Sequence, residues 1–465
     1  MDGTQLAAVI LAAGKGTRMR SEQPKVLHPV AGWPMVAYPT RLAGQLGCRP
    51  TVLVVGHGAD RVRETLADQE VRFALQAEQL GTGHALLCAQ SALTGFAGTL
   101  LLLCGDVPLL RRETLAQLVA RHQACGAAAT VLTAELADPF GYGRVLRQGE
   151  EVLGIVEQKD ATPEQQAIRE INTGIYAFEA PLVFNLLEGL NCDNAQGEYY
   201  LTDVLAAARA AGRKVAAVTL AEATEAMGIN DRVQLAEASA IMRRRINEAH
   251  MRDGVTLMDP ACTYIDPQVE IGPDTVLHAG VHLCGATRIG RDCTIEPHAV
   301  VRDCQIGDGV RIKAASVLEG SQVGEATDIG PMAHLRPGTV LAGHNKIGNF
   351  VETKKALIGV GTKASHLTYI GDAELGANVN VGCGTITCNY DGVNKHKTVI
   401  EDDVFVGSDT QFVAPVRIGR NSLVAAGTTV TKDVPADSLV LSRVPQKIIE
   451  GWRLRAGKKE QKCSE

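Results

Sequence analysis

The sequence has no uninterrupted apolar run of ~18 residues, so no membrane span is expected. It has no excess of basic charge either. Its 46 Lys and Arg stand against 52 Asp and Glu, a net charge of −6, which argues against a nucleic-acid partner and against an acidic disordered tail. The opening stretch "MDGTQLAAVILAAG" carries an acid and no basic segment. Its apolar run is short and ends in glycine, so it reads as a buried strand and not as a signal peptide. None of the twelve cysteines forms a C-x-x-C pair. Cys383 and Cys388 lack a second pair at zinc spacing, so free thiols in a reducing cytoplasm are expected, with no zinc site.

A chain of 465 residues exceeds one hydrophobic core, so two or more domains are expected. The first part alternates strand-like and helix-like segments. "AAVILAAG", "TVLVVGHG", "GTLLLLCGDVPLL" and "AAATVLTAEL" are apolar runs broken at glycine or a polar turn, and "RRETLAQLVARHQACG" is a helix with a glycine stop. Continuous apolar strands alternating with helices predict a Rossmann-like, mostly parallel α/β sheet covered on both faces. Ligands of such sheets bind at the carboxyl ends of the strands, where both "GKGTRM" and "CGDVPLL" fall. Pro39 lies inside the helical pattern "PMVAYPTRLAGQLG" and is expected to kink or restart that helix.

Residues 231–254 read as a linking helix with a weak apolar side made of Val233, Leu235, Ile241, Met242 and Ile246. Arg243, Arg244 and Arg245 are expected on a solvated face. Gly254 stops the helix. The resulting division is 1–232, a helical linker at 233–253, and 254–465.

After the linker the period changes to six. Ile265, Ile271, Leu277, Leu283, Ile289, Ile295 and Val301 start the series. It continues after one-residue slips through Ile306, Ile312, Leu318, Val323, Ile329, Leu335, Leu341 and Ile347. It returns at Ile400, Val406, Phe412, Ile418, Val424 and Val430. A six-residue aliphatic period with turn glycines predicts a parallel β-helix of hexapeptide repeats, about nine or ten coils at ~18 residues each. The segment 388–399, "CNYDGVNKHKTV", has no hexad aliphatic and reads as a projecting loop. The tail 450–465 is expected to be partly disordered.

The "LAAGKGTRM" turn looks like a phosphate loop, but two common patterns fail. A Walker A loop needs Gly where Val9 stands and Ser or Thr where Gly16 stands. A dinucleotide fingerprint needs a third glycine at Met19. What remains, "LAAGKGTRM" followed by Pro24 and Lys25 and later by "GD" at Gly105 and Asp106, resembles the signature of sugar-nucleotide pyrophosphorylases.

Nearly the whole chain resembles the family of bacterial bifunctional N-acetylglucosamine-1-phosphate uridyltransferases/glucosamine-1-phosphate acetyltransferases. The resemblance implies acetyl transfer from acetyl-CoA to glucosamine-1-phosphate by the C-terminal domain. The N-terminal domain then transfers uridylyl from UTP to the product, releasing pyrophosphate. The nucleotide sugar feeds peptidoglycan and lipopolysaccharide synthesis. The resemblance also implies a left-handed β-helix, opposite to the usual crossover rule, and a homotrimer whose acetyl sites draw on more than one chain.

Site residues follow by the same resemblance. Leu11, Ala12, Ala13 and Gly14 let backbone N–H groups approach the nucleotide, and Arg18 and Lys25 bring positive charge to the phosphates. Gln76, Gly81 and Thr82 stand where the base is read. Gly105, Gly141, Glu157 and Asn172 fall in the nucleotide and sugar pocket. Asp106 and Asn230 are the expected Mg²⁺ ligands, consistent with a preference for a few hard oxygens and several waters. In the second domain His366 is the expected general base. Arg336, Lys354, Tyr369 and Asn380 fall on the sugar phosphate, with Lys395 beyond on the loop. Cys383, Asn389, Tyr390, Ser408, Ala426 and Arg443 fall on acetyl-CoA. Cys383 stands where alanine is expected and puts a thiol beside the thioester site. The alternative is a pyrophosphorylase with one activity and a regulatory β-helix, whose tail should be short and lack His366. A non-catalytic interaction protein should lack Lys25, Asp106 and Asn230.

Overall fold

The computed structural model describes residues 5–454. The tail beyond 454, part of the stretch expected to be disordered, lies outside the described residues. The chain divides into two compact units between Ile246 and Asn247.

The first unit is built on a nine-stranded sheet. Its strands are β1 (Leu6–Ala12), β2 (Thr51–Val55), β3 (Arg72–Leu75), β4 (Thr99–Cys104), β5 (Ala129–Glu135), β6 (Arg144–Gln148), β7 (Glu151–Val156), β8 (Glu170–Glu179) and β9 (Val215–Thr219). The order across the sheet is β9-β5-β8-β4-β1-β2-β3, with the β6–β7 hairpin paired to β8. β1 runs parallel to both β2 and β4, and β8 is antiparallel to β4 and β5. Successive residues of β1 point to opposite faces. Ala7 and Val9 join one apolar layer, while Ala8, Ile10 and Ala12 join the other. Burial on both faces explains the unbroken apolar runs of β1 and β4.

From β1 the chain proceeds outward to β2 and β3, then returns to the other side of β1 as β4. The carboxyl ends of β1 and β4 therefore flank a topological switch point, the usual ligand crevice of such sheets.

The expected kink at Pro39 is not needed. Helix α1 spans Ala37–Gln45, which places Pro39 in its first turn. An amide there has no partner within the helix, so a missing N–H costs nothing. Helix α2 (Thr82–Cys88) follows Gly81, and helix α3 (Arg112–Cys125) ends on Gly126 at φ +59°.

Helix α4 (Arg232–Arg252) occupies the stretch read as a linker. Two expectations fail on it. Val233 is 68% exposed, while Ala238 is fully buried against a cluster with Met19, Met35 and Leu109. Arg245 is not on a solvated face: its Nη1 donates to Leu109 O at 2.5 Å and its Nη2 to Glu222 at 3.5 Å. A guanidinium can satisfy backbone carbonyls while its stem packs, so a run of arginines does not by itself mark a wet face.

The second unit is a 26-stranded, all-parallel coil in which each strand pairs with the third one along in most of the stack. The hexad aliphatics fill its inside: Leu277, Leu283, Ile295, Val301, Ile312 and Leu318 are fully buried, although Ile271, close to the start, is only half-buried. Two residues before each aliphatic a second small residue also points inward, such as Thr275, Cys293 or Ala299. Threonine hydroxyls at this position bond to coil carbonyls, as Thr275 does to Gly290 O at 2.9 Å. Gly290 marks the corner. A Cβ there would meet Gly307 carbonyl carbon at 2.8 Å, so the next coil excludes any side chain. Several other corners hold Asp or Asn in the left-handed region, as at Asp274, Asp292 and Asn378, residue types that tolerate it best.

The coils continue without a break through residues 353–387, where no aliphatic series was read. Leu341 pairs with Ile358, Ile347 with Ala364, Thr353 with Ile370, and Ala364 with Val381. Thr353, Ala364 and Thr387 occupy the core positions. Leu375 pairs directly with Ile400, so the intervening chain carries the extra residues as a loop. Cys388 and Thr398–Val399, expected in that loop, belong to strands.

Candidate functional sites

The crevice at the switch point is a cleft of about 290 Å³. Leu11, Ala12, Ala13 and Gly14 form one wall at the end of β1, Gln76, Gly81 and Thr82 a second, and Asp106, just past β4, lines it together with Lys25. A Cβ on Gly14 would touch no other residue, so its lack of a side chain leaves open space for a ligand. Gly16 serves the protein instead: it sits at φ +60°, and a Cβ there would come within 2.5 Å of Lys25 Cβ. Gly105 likewise lets its strand end approach β1, donating to Leu11 O at 2.8 Å.

Lys25 Nζ lies 2.5 Å from Asp106 Oδ2 and 3.1 Å from Asn230 Oδ1. Three residues far apart in sequence thus converge on one point at the cleft. Two hard oxygens already share a cation there, which fits a Mg²⁺ site that draws its remaining ligands from water and phosphate. Arg18 lies exposed in a short 3₁₀ turn, Thr17–Met19.

Asn172, Glu157 and Gly141 do not line this cleft. Asn172 Oδ1 accepts from the Gly174 N–H and the Tyr176 hydroxyl, each at 2.9 Å, which leaves its NH₂ as the group on offer. Glu157 accepts from Thr202 at 3.4 Å, and burial raises its carboxyl above the usual range. Cys104 joins this group to the cleft: its thiol, pushed up to about 12 by burial, donates to Gly174 O at 3.4 Å and also lines the cleft. Gly141 is exposed and donates to Gln158 Oε1 at 3.1 Å. The sequence reading missed Cys104, Gln79 and Glu198 on the cleft wall. Only the "GD" that follows Cys104 could have flagged it.

In the second unit His366 is exposed, and its Nδ1 lies 2.9 Å from Asn349 Oδ1. An amide oxygen only accepts, so the ring proton sits on Nδ1 and Nε2 is the free base. Asn349 and His366 are register partners in adjacent coils. Asn349 was missed, although one coil length counted back from His366 reaches it.

The same corner continues downward. Gly382 is overlain so closely by the next coil that a Cβ would meet Ser408 N at 2.5 Å, and one on Gly407 would meet Ala426 N at 2.5 Å. Cys383, Ser408 and Ala426 therefore follow one another along the edge that carries His366.

Arg336 donates to Glu352 at 2.8 Å, and Glu352 is the register partner of Tyr369. The Lys395 amine draws the Lys354 ammonium below the usual lysine range; partial desolvation and Arg336 add to this, and Asp372 opposes it. Crowded cations of this kind suit a phosphate. Asn380 does not join them. It stands between Lys363 and Phe405 on the next face of the prism. Asn389 is buried and donates to Asp372 at 2.5 Å. Tyr390 is 59% exposed on the loop, bridged to Lys395. The loop is folded around Asp391, which accepts from the Val393 and Asn394 amides and from His396 at 2.8, 2.6 and 2.7 Å. Arg443 is exposed beyond the strand Leu439–Val440. Among the described residues no helix is long and apolar enough to cross a membrane.

Comparison with known proteins agrees with this two-part layout. Residues 8–171 match the model of the MobA-like NTP transferase domain, 261–364 the GMPPB C-terminal domain, and 397–432 the bacterial transferase hexapeptide repeats. The chain is 73% identical to the bifunctional protein GlmU of Syntrophotalea carbinolica over 98% of both chains. It is 59% identical to that of Pelobacter propionicus, over 98% of this chain and 99% of the relative. With that of Exiguobacterium sp. it shares 51% over 96% and 99%. With identity at this level along both halves, the chain belongs to the family of bifunctional GlmU proteins, enzymes that join a nucleotidyltransferase to an acetyltransferase and make UDP-N-acetylglucosamine.

Proposed function

We propose that the cleft of the first unit carries uridylyl transfer and the His366 edge of the second carries acetyl transfer. The observation that carries the first assignment is the convergence of Lys25, Asp106 and Asn230 on one point. Gln76, Gly81 and Thr82 hold the uracil base of UTP, and the Ala12–Gly14 backbone admits its phosphates. Lys25 and Arg18 neutralise the triphosphate. Asp106 and Asn230 hold Mg²⁺, which when bound supplies Lewis-acid neutralisation of phosphate charge. Glu157, Asn172 and Gly141 orient the sugar, with the Asn172 NH₂ as donor. The sugar-phosphate oxygen forms a bond to the α-phosphorus of UTP as the bond to the β-phosphate oxygen breaks, and pyrophosphate leaves. No protein nucleophile is needed, and positioning carries the step.

In the second unit Arg336, Lys354 and Lys395 hold the phosphate of glucosamine-1-phosphate, with Tyr369 beside it. His366 Nε2 takes a proton as the amine attacks the thioester carbonyl. The C–S bond breaks and coenzyme A leaves as the thiol. Cys383, Asn389, Tyr390, Ser408, Ala426 and Arg443 line the path of acetyl-CoA.

A homotrimer is supported by apolar side chains on the outside of the prism. Phe405, Leu423 and Leu439 follow one another in successive coils and are 51%, 44% and 63% exposed. Asn380 lies on the same strip, where it would complete the site of a neighbouring copy. We place the protein in the cytoplasm, where its three substrates are made.

The test supplies purified protein with glucosamine-1-phosphate, acetyl-CoA, UTP and Mg²⁺, and follows free thiol and pyrophosphate separately. Both should appear, with pyrophosphate dependent on acetyl-CoA. Release of only one would refute the pairing.

A further inference from the structure

The base-reading wall of the cleft contains an orienting contact behind it. Gln76 is 3% exposed, and its Nε2 lies 3.1 Å from Gly81 O and 3.2 Å from His84 Nδ1. A backbone carbonyl only accepts, so the end of the amide facing Gly81 is the NH₂. Its two hydrogens go to Gly81 O and His84 Nδ1. That makes Nδ1 an acceptor and leaves the ring proton on Nε2, which faces Cys88 Sγ at 3.9 Å. His84 and Cys88 stand four residues apart on one side of α2. Burial raises the Cys88 thiol, so a neutral sulfur meets that proton. Among the described residues no donor reaches Gln76 Oε1, and that oxygen is not sealed from solvent. Gln76 lines the cleft, so Oε1 is what it offers there.

We propose that His84 is the positioning residue for base selection: it locks the Gln76 amide so that the cleft presents an acceptor and not a donor. Uracil carries a hydrogen on N3 and can donate it to that oxygen. Cytosine has a bare nitrogen at N3 and would set acceptor against acceptor. Without His84 only the Gly81 carbonyl holds the amide in that sense, so the turned amide, which presents its NH₂ to the base and suits cytosine, becomes more populated. The inference rests on the uridylyl-transfer reading of the cleft, and deepens it.

The test measures pyrophosphate release from UTP and from CTP, with N-acetylglucosamine-1-phosphate and Mg²⁺, in the full chain. His84→Leu removes the acceptor, and His84→Asn keeps one at nearly the same place. His84→Leu should raise the KM for UTP about tenfold and narrow the UTP-over-CTP preference about tenfold, with kcat within about twofold. His84→Asn should restore both. His84→Ala, a good helix former, is read on the same ratio should His84→Leu not fold. Unchanged nucleotide preference in the Leu or Ala variant, or equal loss in His84→Asn, would overturn the proposal. A wild-type protein with no activity on UTP would instead overturn the uridylyl reading itself.

Discussion

Lys25 Nζ sits 2.5 Å from Asp106 Oδ2, so an ammonium touches the carboxylate proposed to hold Mg²⁺. The two cations compete for the same oxygen. Lys25→Met should therefore let Mg²⁺ bind the nucleotide-free protein about tenfold more tightly, while uridylyl transfer falls at least ~100-fold. Isothermal titration with Mg²⁺ beside a pyrophosphate assay reads both. Weaker Mg²⁺ binding in the variant would argue against a shared site.

The Asn349–His366 contact makes a second prediction. His366→Ala should lower acetyl transfer by ~10²–10⁴-fold, the usual share of a general base. Asn349→Ala should cost less, about tenfold, because the base survives but its tautomer is no longer fixed. Asn349→Asp, which keeps an acceptor at the same place, should restore the rate; no recovery would mean that Asn349 does not act through His366.

A third concerns pH and stability. His122 on α3 is 4% exposed, its Nδ1 lies 3.0 Å from Thr130 Oγ1, and burial pushes it down to about 4. Its folded pKa is below the unfolded value of 6.5, so between these two pH values the unfolded chain binds more protons. The stability it supports is complete above pH ~6.5 and is lost as pH falls toward about 4. The loss is on the order of 3 kcal/mol. Urea unfolding of His122→Gln should show a flatter pH dependence over that window; an unchanged slope would refute the assignment.

The thiol of Cys383 makes a fourth. It lies along the edge that carries His366 and Ser408, but takes no part in the chemistry. Alkylation with a bulky maleimide should block acetyl transfer and spare uridylyl transfer. Cys383→Ala should keep wild-type acetyl transfer within about twofold and lose that sensitivity. Persistent sensitivity would point to another cysteine.

Some of this was legible in the sequence because of how burial shapes it. β1 and β4 are buried on both faces, so they read as unbroken apolar runs, and the glycine or Gly-Asp after each marks the strand end at the crevice. The hexads are legible wherever an aliphatic fills the core position. They vanish where Thr353, Ala364 and Thr387 fill it instead, because a small or hydroxyl-bearing residue packed inside a coil looks like a turn residue in one dimension. Asn349 acts on His366 across a coil, and His84 acts on Gln76 from the first turn of α2, and no local pattern announces either. Arg245 was misread because three adjacent charges say nothing about which one finds a backbone carbonyl.

The central claim is that two separable sites share the chain. Its most direct test is one assay on Asp106→Ala and His366→Ala, following thiol and pyrophosphate in parallel. Given glucosamine-1-phosphate, acetyl-CoA, UTP and Mg²⁺, Asp106→Ala should release thiol and no pyrophosphate. Given N-acetylglucosamine-1-phosphate, UTP and Mg²⁺, His366→Ala should release pyrophosphate at the wild-type rate, and with the first set of substrates it should release thiol at least ~10²-fold more slowly than wild type. Loss of both activities in either folded variant would contradict the account.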